Sequence, residues 1–410
     1  VTTTAGTKRP AARGLLLLGP ALVAAIAYVD PGNVAANLTG GARYGYLLVW
    51  VLVAANLIAG LVQYQSAKLG LVTGRTMPEL LGDRLRPAAR RAFWAQAELV
   101  AAATDLAEVI GGAIALNLLF GLPLFLGGII VGAVSMGLLA MQSRFGQRPF
   151  ERVVIGLLAI VAIGFVAGLF VNPPDALSIL EGLVPRFSGS GSVLLAASML
   201  GATVMPHAIY VHSALARDRH GRAETANDRT RLLKITKIDV VVALGIAGVV
   251  NVGMLLLAAV NLRNVDNTDS IAGAHAAIGA ALGPGIALVF AIGLLASGLA
   301  STSVGSYAGA TIMAGLLKRR IPVFLRRFIT LIPALVILGL GVDPTWALVI
   351  SQVFLSFGIP FALVPLLRLT NDRAVMGDQA NGGFVRWALG VIVVLVVVLN
   401  VALIALTILG

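Results

Sequence analysis

Eleven apolar runs, each about the length needed to cross a bilayer, leave this backbone little choice but helix. No water reaches the peptide groups of a segment in hydrocarbon, so such a segment must close its own hydrogen bonds. About 20 helical residues suffice to cross. The runs lie near 15–39, 44–69, 92–120, 122–141, 150–171, 191–216, 232–260, 284–316, 322–341, 346–369 and 384–408. With 58% hydrophobic and 12% charged residues, the chain reads as an all-α polytopic membrane protein. The eighth run is longer than a bilayer requires and is expected to tilt or project.

The net charge of +12 is explained by where the charges fall. With the N-terminus on the cytoplasmic side, only Arg43, Arg186 and Arg263 of the 30 Lys and Arg residues lie outside. That asymmetry predicts a multi-pass chain with its N-terminus cytoplasmic and its C-terminus outside. It assigns the basic residues to topology and to anionic headgroups, not to nucleic acid. Residues 1–14, with Lys8, Arg9 and Arg13, read as a disordered cationic tail. Ala25-Ile26-Ala27 could mimic a signal-peptide cleavage site, but the Asp-Pro-Gly-Asn that follows belongs to another argument. The chain has no cysteine, which removes disulfides, thiolate ligands and thiol catalysis. It carries no His-Glu-x-x-His, Gly-x-Ser-x-Gly or Gly-x-x-x-x-Gly-Lys motif, so no enzyme is expected. Without a phosphate-binding loop, transport would run on gradients, with no ATPase subunit expected.

Two of the runs are interrupted. In Ala27-Tyr28-Val29-Asp30-Pro31-Gly32-Asn33, Pro31 has no N–H and leaves the carbonyl of Ala27 without its helical partner. Asp30 at that depth costs at least ~2.5–3.5 kcal/mol. In Ala202-Thr203-Val204-Met205-Pro206-His207, Pro206 frees the carbonyl of Ala202 in the same way. Irregular backbone at membrane depth is tolerated only where protein or a water-filled cavity receives it, and paired interruptions point to a binding site. Five runs (15–171) and five more (191–369) each open with a break, on either side of the Pro-, Gly- and Ser-rich connector 172–190. The pattern predicts one membrane transport domain, an inverted repeat of five plus five spans, with 384–408 as an extra span.

The breaks offer the carboxylate of Asp30, the amide oxygen of Asn33, the carbonyls of Ala27 and Ala202, and the thioether of Met205. Hard alkaline-earth ions take oxygen alone, whereas a thioether favours softer divalent transition metals. Met205 could instead fill a gap in the core, but its place beside Pro206 and opposite Asp30 argues for a ligand. His207 reads equally as a functional or a buried structural residue. His212 lies about 140° further round a helix, so the two are no metal pair, and His212 reads as structural. His220 and His275 are expected in loops, without a role. Span 3 carries Glu98, Asp105 and Glu108. About 20° separates the first two and about 60° the last two, so all three share a face over about 15 Å. Acids in such a place form relays, which favours proton handling. Arg326 and Arg327 read first as topology charges, placed far enough inside span 9 to serve as counter-charges. Gln352 in span 10 adds an amide without a pattern of its own. Thr76-Met77-Pro78-Glu79 predicts a capped surface helix, Ser297 to Ser306 a small-residue packing face, and 261–283 a polar outside segment.

Asp30-Pro31-Gly32-Asn33 and Met205-Pro206-His207 together resemble the Nramp family of divalent metal transporters, specifically its bacterial manganese importers. The resemblance extends to Gly-Gly-Ala-Arg-Tyr-Gly-Tyr at 40–46, Ala-Thr-Asp-Leu-Ala-Glu at 103–108, Gly-Ala-Thr-Val-Met-Pro-His at 201–207 and Pro-Phe-Ala-Leu-Val-Pro at 360–365. It implies a LeuT-type fold with broken helices 1 and 6 and an added eleventh span. It also implies proton-linked uptake of Mn2+ and Fe2+, often with Co2+, Cd2+ or Zn2+, through a bacterial inner membrane and with no resident cofactor. In the family's pattern Asp30, Asn33 and Met205 are side-chain ligands, Ala27 and Ala202 give carbonyls, and Gln352 approaches the ion on closure. Asp30, His207, Glu98, Asp105 and Glu108 match proton-linked positions, with Arg326 and Arg327 as basic partners of the span-3 acids. The related magnesium transporters lack the methionine. An amino-acid substrate would meet repulsion from Asp30, and a non-transporting receptor would leave the acidic face unexplained.

Overall fold

The computed structural model describes residues 19–409, apart from positions 146, 224, 264, 266, 267, 269 and 319–321. The cationic tail lies outside the described residues. What is described is helix joined by turns, with no strand among those residues.

The first span is two half-helices. Helix α1 (Pro20–Ala25) tightens into a 3₁₀ turn, Ile26–Val29, and stops at Asp30, which is extended at φ −73°, ψ 168°. Helix α2 (Pro31–Tyr44) then starts afresh. Pro31 sits at its first position, where a missing N–H costs nothing. Asp30 is its N-cap, accepting from the backbone N–H of Asn33 at 2.7 Å. The sixth span repeats the device: α10 (Gly189–Thr203) ends, Val204 and Met205 are non-helical, and α11 (Pro206–His220) begins on its proline.

The other expected spans fall on α3 (Val49–Thr73), α5 (Pro87–Phe120), α6 (Leu124–Phe145), and α7 (Gln147–Val166) with α8 (Gly168–Val171). They continue on α12 (Ala226–Asn261), α14 (Pro284–Leu317), α15 (Val323–Gly339), α16 (Pro344–Asn371) and α18 (Gly383–Leu409). Eight helical stretches of the described residues are long and apolar enough to cross a membrane; α15, at 17 residues, is shorter. Short connecting helices are α4 (Met77–Arg84), α9 (Ala176–Gly182) and α17 (Arg373–Met376). Helix α4 is not the surface helix its sequence predicts, since Met77, Pro78, Leu80, Leu81 and Gly82 are buried, with Gly82 close against Gly315 of α14. Helix α4 carries the expected capping box: Glu79 N–H donates to Thr76 Oγ1 at 3.2 Å and Thr76 N–H to Glu79 Oε2 at 2.9 Å.

One expectation needs correcting. Segment 261–283 is not simply a polar loop, because it holds the apolar helix α13 (Ile271–Leu282). His275 lies on that helix, with its ring centroid 6.2 Å from that of Phe290, and His220 ends α11.

The packing places the breaks at the centre. Helix α14 runs along α5, α12 along α2 and α3, α10 along α16, and α18 backs onto α16 and α10. The small-residue face of α14 makes its contact as expected: a Cβ on Gly298 would lie 3.0 Å from the carbonyl of Glu108 on α5. The start of α1 is held from the side. Asp239 of α12 accepts from the backbone N–H of Gly19 at 3.2 Å and of Ala21 at 2.9 Å. Large apolar side chains such as Leu57, Val241, Val249, Phe384 and Val398 are exposed, as lipid-facing surface requires.

Candidate metal-ion site

Each break frees backbone carbonyls, and their partners define what remains for a ligand. The carbonyl of Tyr28 accepts from Asn251 Nδ2 of α12 at 2.7 Å, and that of Val29 from Ser297 Oγ of α14 at 2.5 Å. Asn37 in turn donates to Asn251 Oδ1 at 2.8 Å. No side chain among the described residues donates to the carbonyl of Ala27. The carbonyl of Ala202 accepts from Asn33 Nδ2 at 2.9 Å, which joins the second break to the first.

The same Asn33 amide nitrogen donates to Asp30 Oδ1, also at 2.9 Å. It therefore sits between a carboxylate and a carbonyl, with its partial positive charge where a cation would have the same two neighbours. Half a turn of the amide would present Asn33 Oδ1 there instead. That oxygen has only a long contact, 3.4 Å, from Thr203 Oγ1. Asp30 Oδ2 is buried with no hydrogen-bond partner. An orphaned carboxylate oxygen in a dry interior is costly unless something charged completes it.

Gln352 closes the space from α16. A Cβ on Gly32 would overlap its side-chain amide, and one on Gly201 would overlap its backbone carbonyl. Only glycine permits either approach, so Gln352 is wedged between the two breaks. Its Nε2 donates to Ser351 Oγ at 3.1 Å, while its Oε1 is buried without a partner. Met205 is the N-cap residue of α11, fully buried. The structure thus brings Ala27, Asp30, Asn33, Ala202, Met205 and Gln352 into one region, each at most 1% exposed. The described residues contain no group of three His, Cys, Asp or Glu side chains able to hold a metal. A divalent ion here would be held by mixed donors: one carboxylate, amide and backbone oxygens, and one sulfur.

His207 links this region to the acidic face. Its Nδ1 lies 3.3 Å from Thr104 Oγ1 of α5, and its Nε2 is buried without a partner. Asp105 follows Thr104 and pairs with Arg327, 3.0 Å away; Arg326 stands 4.0 Å from its other oxygen and 2.9 Å from Glu98. The basic pair first read as topology charge is thus buried counter-charge. Arg327 is fully enclosed and also donates to Ser135 Oγ at 3.1 Å. Both oxygens of Glu108 are buried and without a hydrogen-bond partner. They face Gly305 of α14, where a Cβ would come within 3.1 Å of Oε1. An unpaired acid one turn from an ion-paired one can exchange a proton without separating charge over distance.

Four supporting residues carried no site signal in the sequence: Tyr28, Gln63, Asn251 and Ser297. Gln63 donates to the Tyr28 hydroxyl and its Oε1 lies 2.6 Å from Nδ1 of His212. His212 Nδ1 is therefore held in the core, on a chain of contacts that ends two residues before Asp30, while its Nε2 is buried without a partner.

A family model described as natural resistance-associated macrophage protein-like matches residues 21–406. The chain is 61% identical over 394 residues to a protein of Mycobacterium tuberculosis named divalent metal cation transporter MntH, covering 96% of this chain and 92% of that one. It is 46% identical over 395 residues to a protein of Bacillus subtilis of the same name, with the same coverage. Among solved structures it matches a crystal structure of an Eremococcus coleocola manganese transporter with TM-score 0.86 at 30% identity, covering 98% of this chain and 88% of that one. A more distant match, TM-score 0.58 at 15% identity over 96% and 91% of the two chains, is Mhp1, a nucleobase-cation-symport-1 family transporter; it shares the fold.

Proposed function

The chain belongs to the natural resistance-associated macrophage protein (Nramp) family, and from that premise we propose that it imports divalent transition-metal ions, Mn2+ foremost and Fe2+ with it, in symport with protons. The observation that carries this reading is the wedge of Gln352 between two helix breaks already joined by Asn33. It sets Gln352 beside Asp30, Asn33 and Ala202 in the buried interior, with Ala27 and Met205 on the same two breaks. Mn2+ would meet Asp30 Oδ2, Asn33 Oδ1 once its amide turns, the carbonyls of Ala27 and Ala202, the sulfur of Met205 and Gln352 Oε1. The sulfur favours Mn2+, Fe2+, Co2+, Cd2+ and Zn2+ over Mg2+ and Ca2+, and the hard oxygens that make up the rest of the set suit Mn2+ among them.

The ion enters from outside and leaves inward as the two five-helix repeats rock about the breaks. Parting α16 from Gly32 and Gly201 opens one side; parting α1 from α12 opens the other. Mn2+ and a proton compete for the Asp30 carboxylate, so binding the ion displaces any proton held there toward His207. His207 and Thr104 connect that region to Asp105, Glu108 and Glu98, where Arg326 and Arg327 hold the charge in place. The distribution of Lys and Arg supports a cytoplasmic N-terminus, and the bacterial relatives support a bacterial inner membrane. The Mycobacterium relative's name supports a divalent metal cation, and the likeness to the Eremococcus coleocola manganese transporter supports manganese.

The test is uptake into proteoliposomes at acidic outside pH, with Mn2+ and Mg2+ run separately and internal pH followed. Mn2+ uptake with internal acidification, indifferent to excess Mg2+, is expected. Mg2+ uptake without acidification would overturn the reading.

A further inference from the structure

Helix α16, which carries Gln352, contains two prolines, Pro360 and Pro365. Each removes the N–H that would bond the carbonyl four residues earlier, here those of Ser356 and Phe361. Within a membrane such carbonyls are taken up by side chains of neighbouring helices. Asn400 of α18 donates to the carbonyl of Ser356 at 3.0 Å. The hydroxyl of Tyr210 donates to the carbonyl of Phe361 at 3.2 Å. Tyr210 stands on α11, one turn beyond His207 and five residues beyond Met205, and is 1% exposed. A second contact joins the same two helices: a Cβ on Gly358 would lie 3.1 Å from Pro206 Cγ, at the very start of α11.

Where a helix lacks two ladder bonds little more than a turn apart, its own backbone no longer fixes the angle between its halves. The neighbour that holds the loosened part fixes it instead. For α16 that neighbour is α11, which meets it on both sides of Pro360: Pro206 lies against Gly358 before it and Tyr210 bonds Phe361 after it, while Phe93 of α5 packs edge-on against the Phe361 ring. We propose that Tyr210 is a positioning residue for transport: its hydroxyl yokes the proline-hinged end of α16 to α11, so that Gln352 and Met205 reach the ion in a fixed mutual register. The inference rests on the reading of the breaks as a Mn2+ site.

The yoke and a simple repair of an unpaired carbonyl make different predictions. Tyr210→Phe removes one oxygen and nothing else. Pro365→Ala restores an N–H for Phe361 without rejoining α11 to α16. In proteoliposomes of the full chain, Tyr210→Phe is expected to raise the apparent KM for Mn2+ about fivefold and to lower the melting temperature. Adding Pro365→Ala is expected to return the melting temperature but leave KM raised. Recovery of both together, or an unchanged KM in Tyr210→Phe, overturns the yoke. If Pro365→Ala does not assemble, Tyr210→Phe combined with Gln352→Ala decides. A yoke acting through Gln352 gives less than the product of the two single effects on KM; full multiplication overturns it. Wild-type vesicles that take up no Mn2+ would instead defeat the functional reading, before either variant is compared.

Discussion

The side chain of Asn33 bonds the backbone of Ala202, 169 residues away, at 2.9 Å. Neither helix break is therefore a local irregularity. Each is completed by the other, and the amide that joins them can present either a donor or an acceptor to the space between Asp30 and Ala202.

Asp30→Asn separates the charge from the fold. Asparagine caps a helix as well as aspartate does, so α2 still starts at Pro31 and the melting temperature changes little. The one formal charge in the donor set is lost, and a charged contact is worth about 1.5–3 kcal/mol. Titration calorimetry in detergent is expected to show Mn2+ affinity falling about 10- to 100-fold. Unchanged affinity would remove Asp30 from the ligand set.

Met205→Leu keeps volume and burial while removing the sulfur. Such a swap costs less than about 1.5 kcal/mol in a core. Mn2+ uptake by the variant is expected to become sensitive to competing Mg2+ and Ca2+, while the wild type ignores them. If competition is the same in both proteins, Met205 is core packing.

Asp105→Asn leaves Arg327 buried beside a neutral partner, and breaking a buried pair costs about 3–5 kcal/mol. Metal-evoked proton entry is expected to vanish while Mn2+ uptake persists. The double variant with Arg327→Met should be more stable than Asp105→Asn alone, because the stranded charge is gone. Proton entry persisting in Asp105→Asn would take that residue out of the relay.

A pH-dependent contact lies on the surface. Lys318 Nζ stands 2.7 Å from Asp83 Oδ1, and Arg75 pairs with its other oxygen. The hydrogen bonds from Lys318 first, then Arg75, hold the Asp83 carboxyl down at about 2, below its ordinary 3.8. With the folded value depressed, the stabilisation is complete above about pH 4 and fades as pH falls toward 2. It is small, since all three groups are exposed. Thermal melts should show Asp83→Asn slightly less stable at pH 7, with the gap narrowing as pH falls toward 2; equal stability at pH 7, or a gap that does not narrow, would refute the linkage.

The breaks were legible because proline and aspartate inside an apolar run have no other use, and the capping box because its spacing is local. The acids of α5 share a face by helical arithmetic alone. Asn251 and Ser297 were not legible as caps. A lone amide or hydroxyl in an apolar helix has no periodicity, and their partners, Tyr28 and Val29, lie more than 200 residues away. Arg326 and Arg327 were legible as counter-charges only beside the topology reading, because a charge near a helix end satisfies the topology rule whether or not an acid from another helix meets it; their pairing with Glu98 and Asp105 followed from the family pattern. Helix α13 was hidden because its 12 residues fall short of a span and follow the polar stretch Asn261 to Ser270.

The carboxylate of Asp239 is the anchor for the start of α1. Any arrangement that parts α1 from α12 gives up its two bonds to Gly19 and Ala21, each worth about 1.5–3 kcal/mol where a charge accepts. At about 1.4 kcal/mol per decade, each bond biases the population against parting by one to two powers of ten. Cargo can reverse that bias only by binding the parted form more tightly in the same proportion. The strength of one latch thus sets a lower bound on how differently the two conformations must feel the ion, and a leak-free empty protein and a releasable cargo become opposing demands on a single side chain.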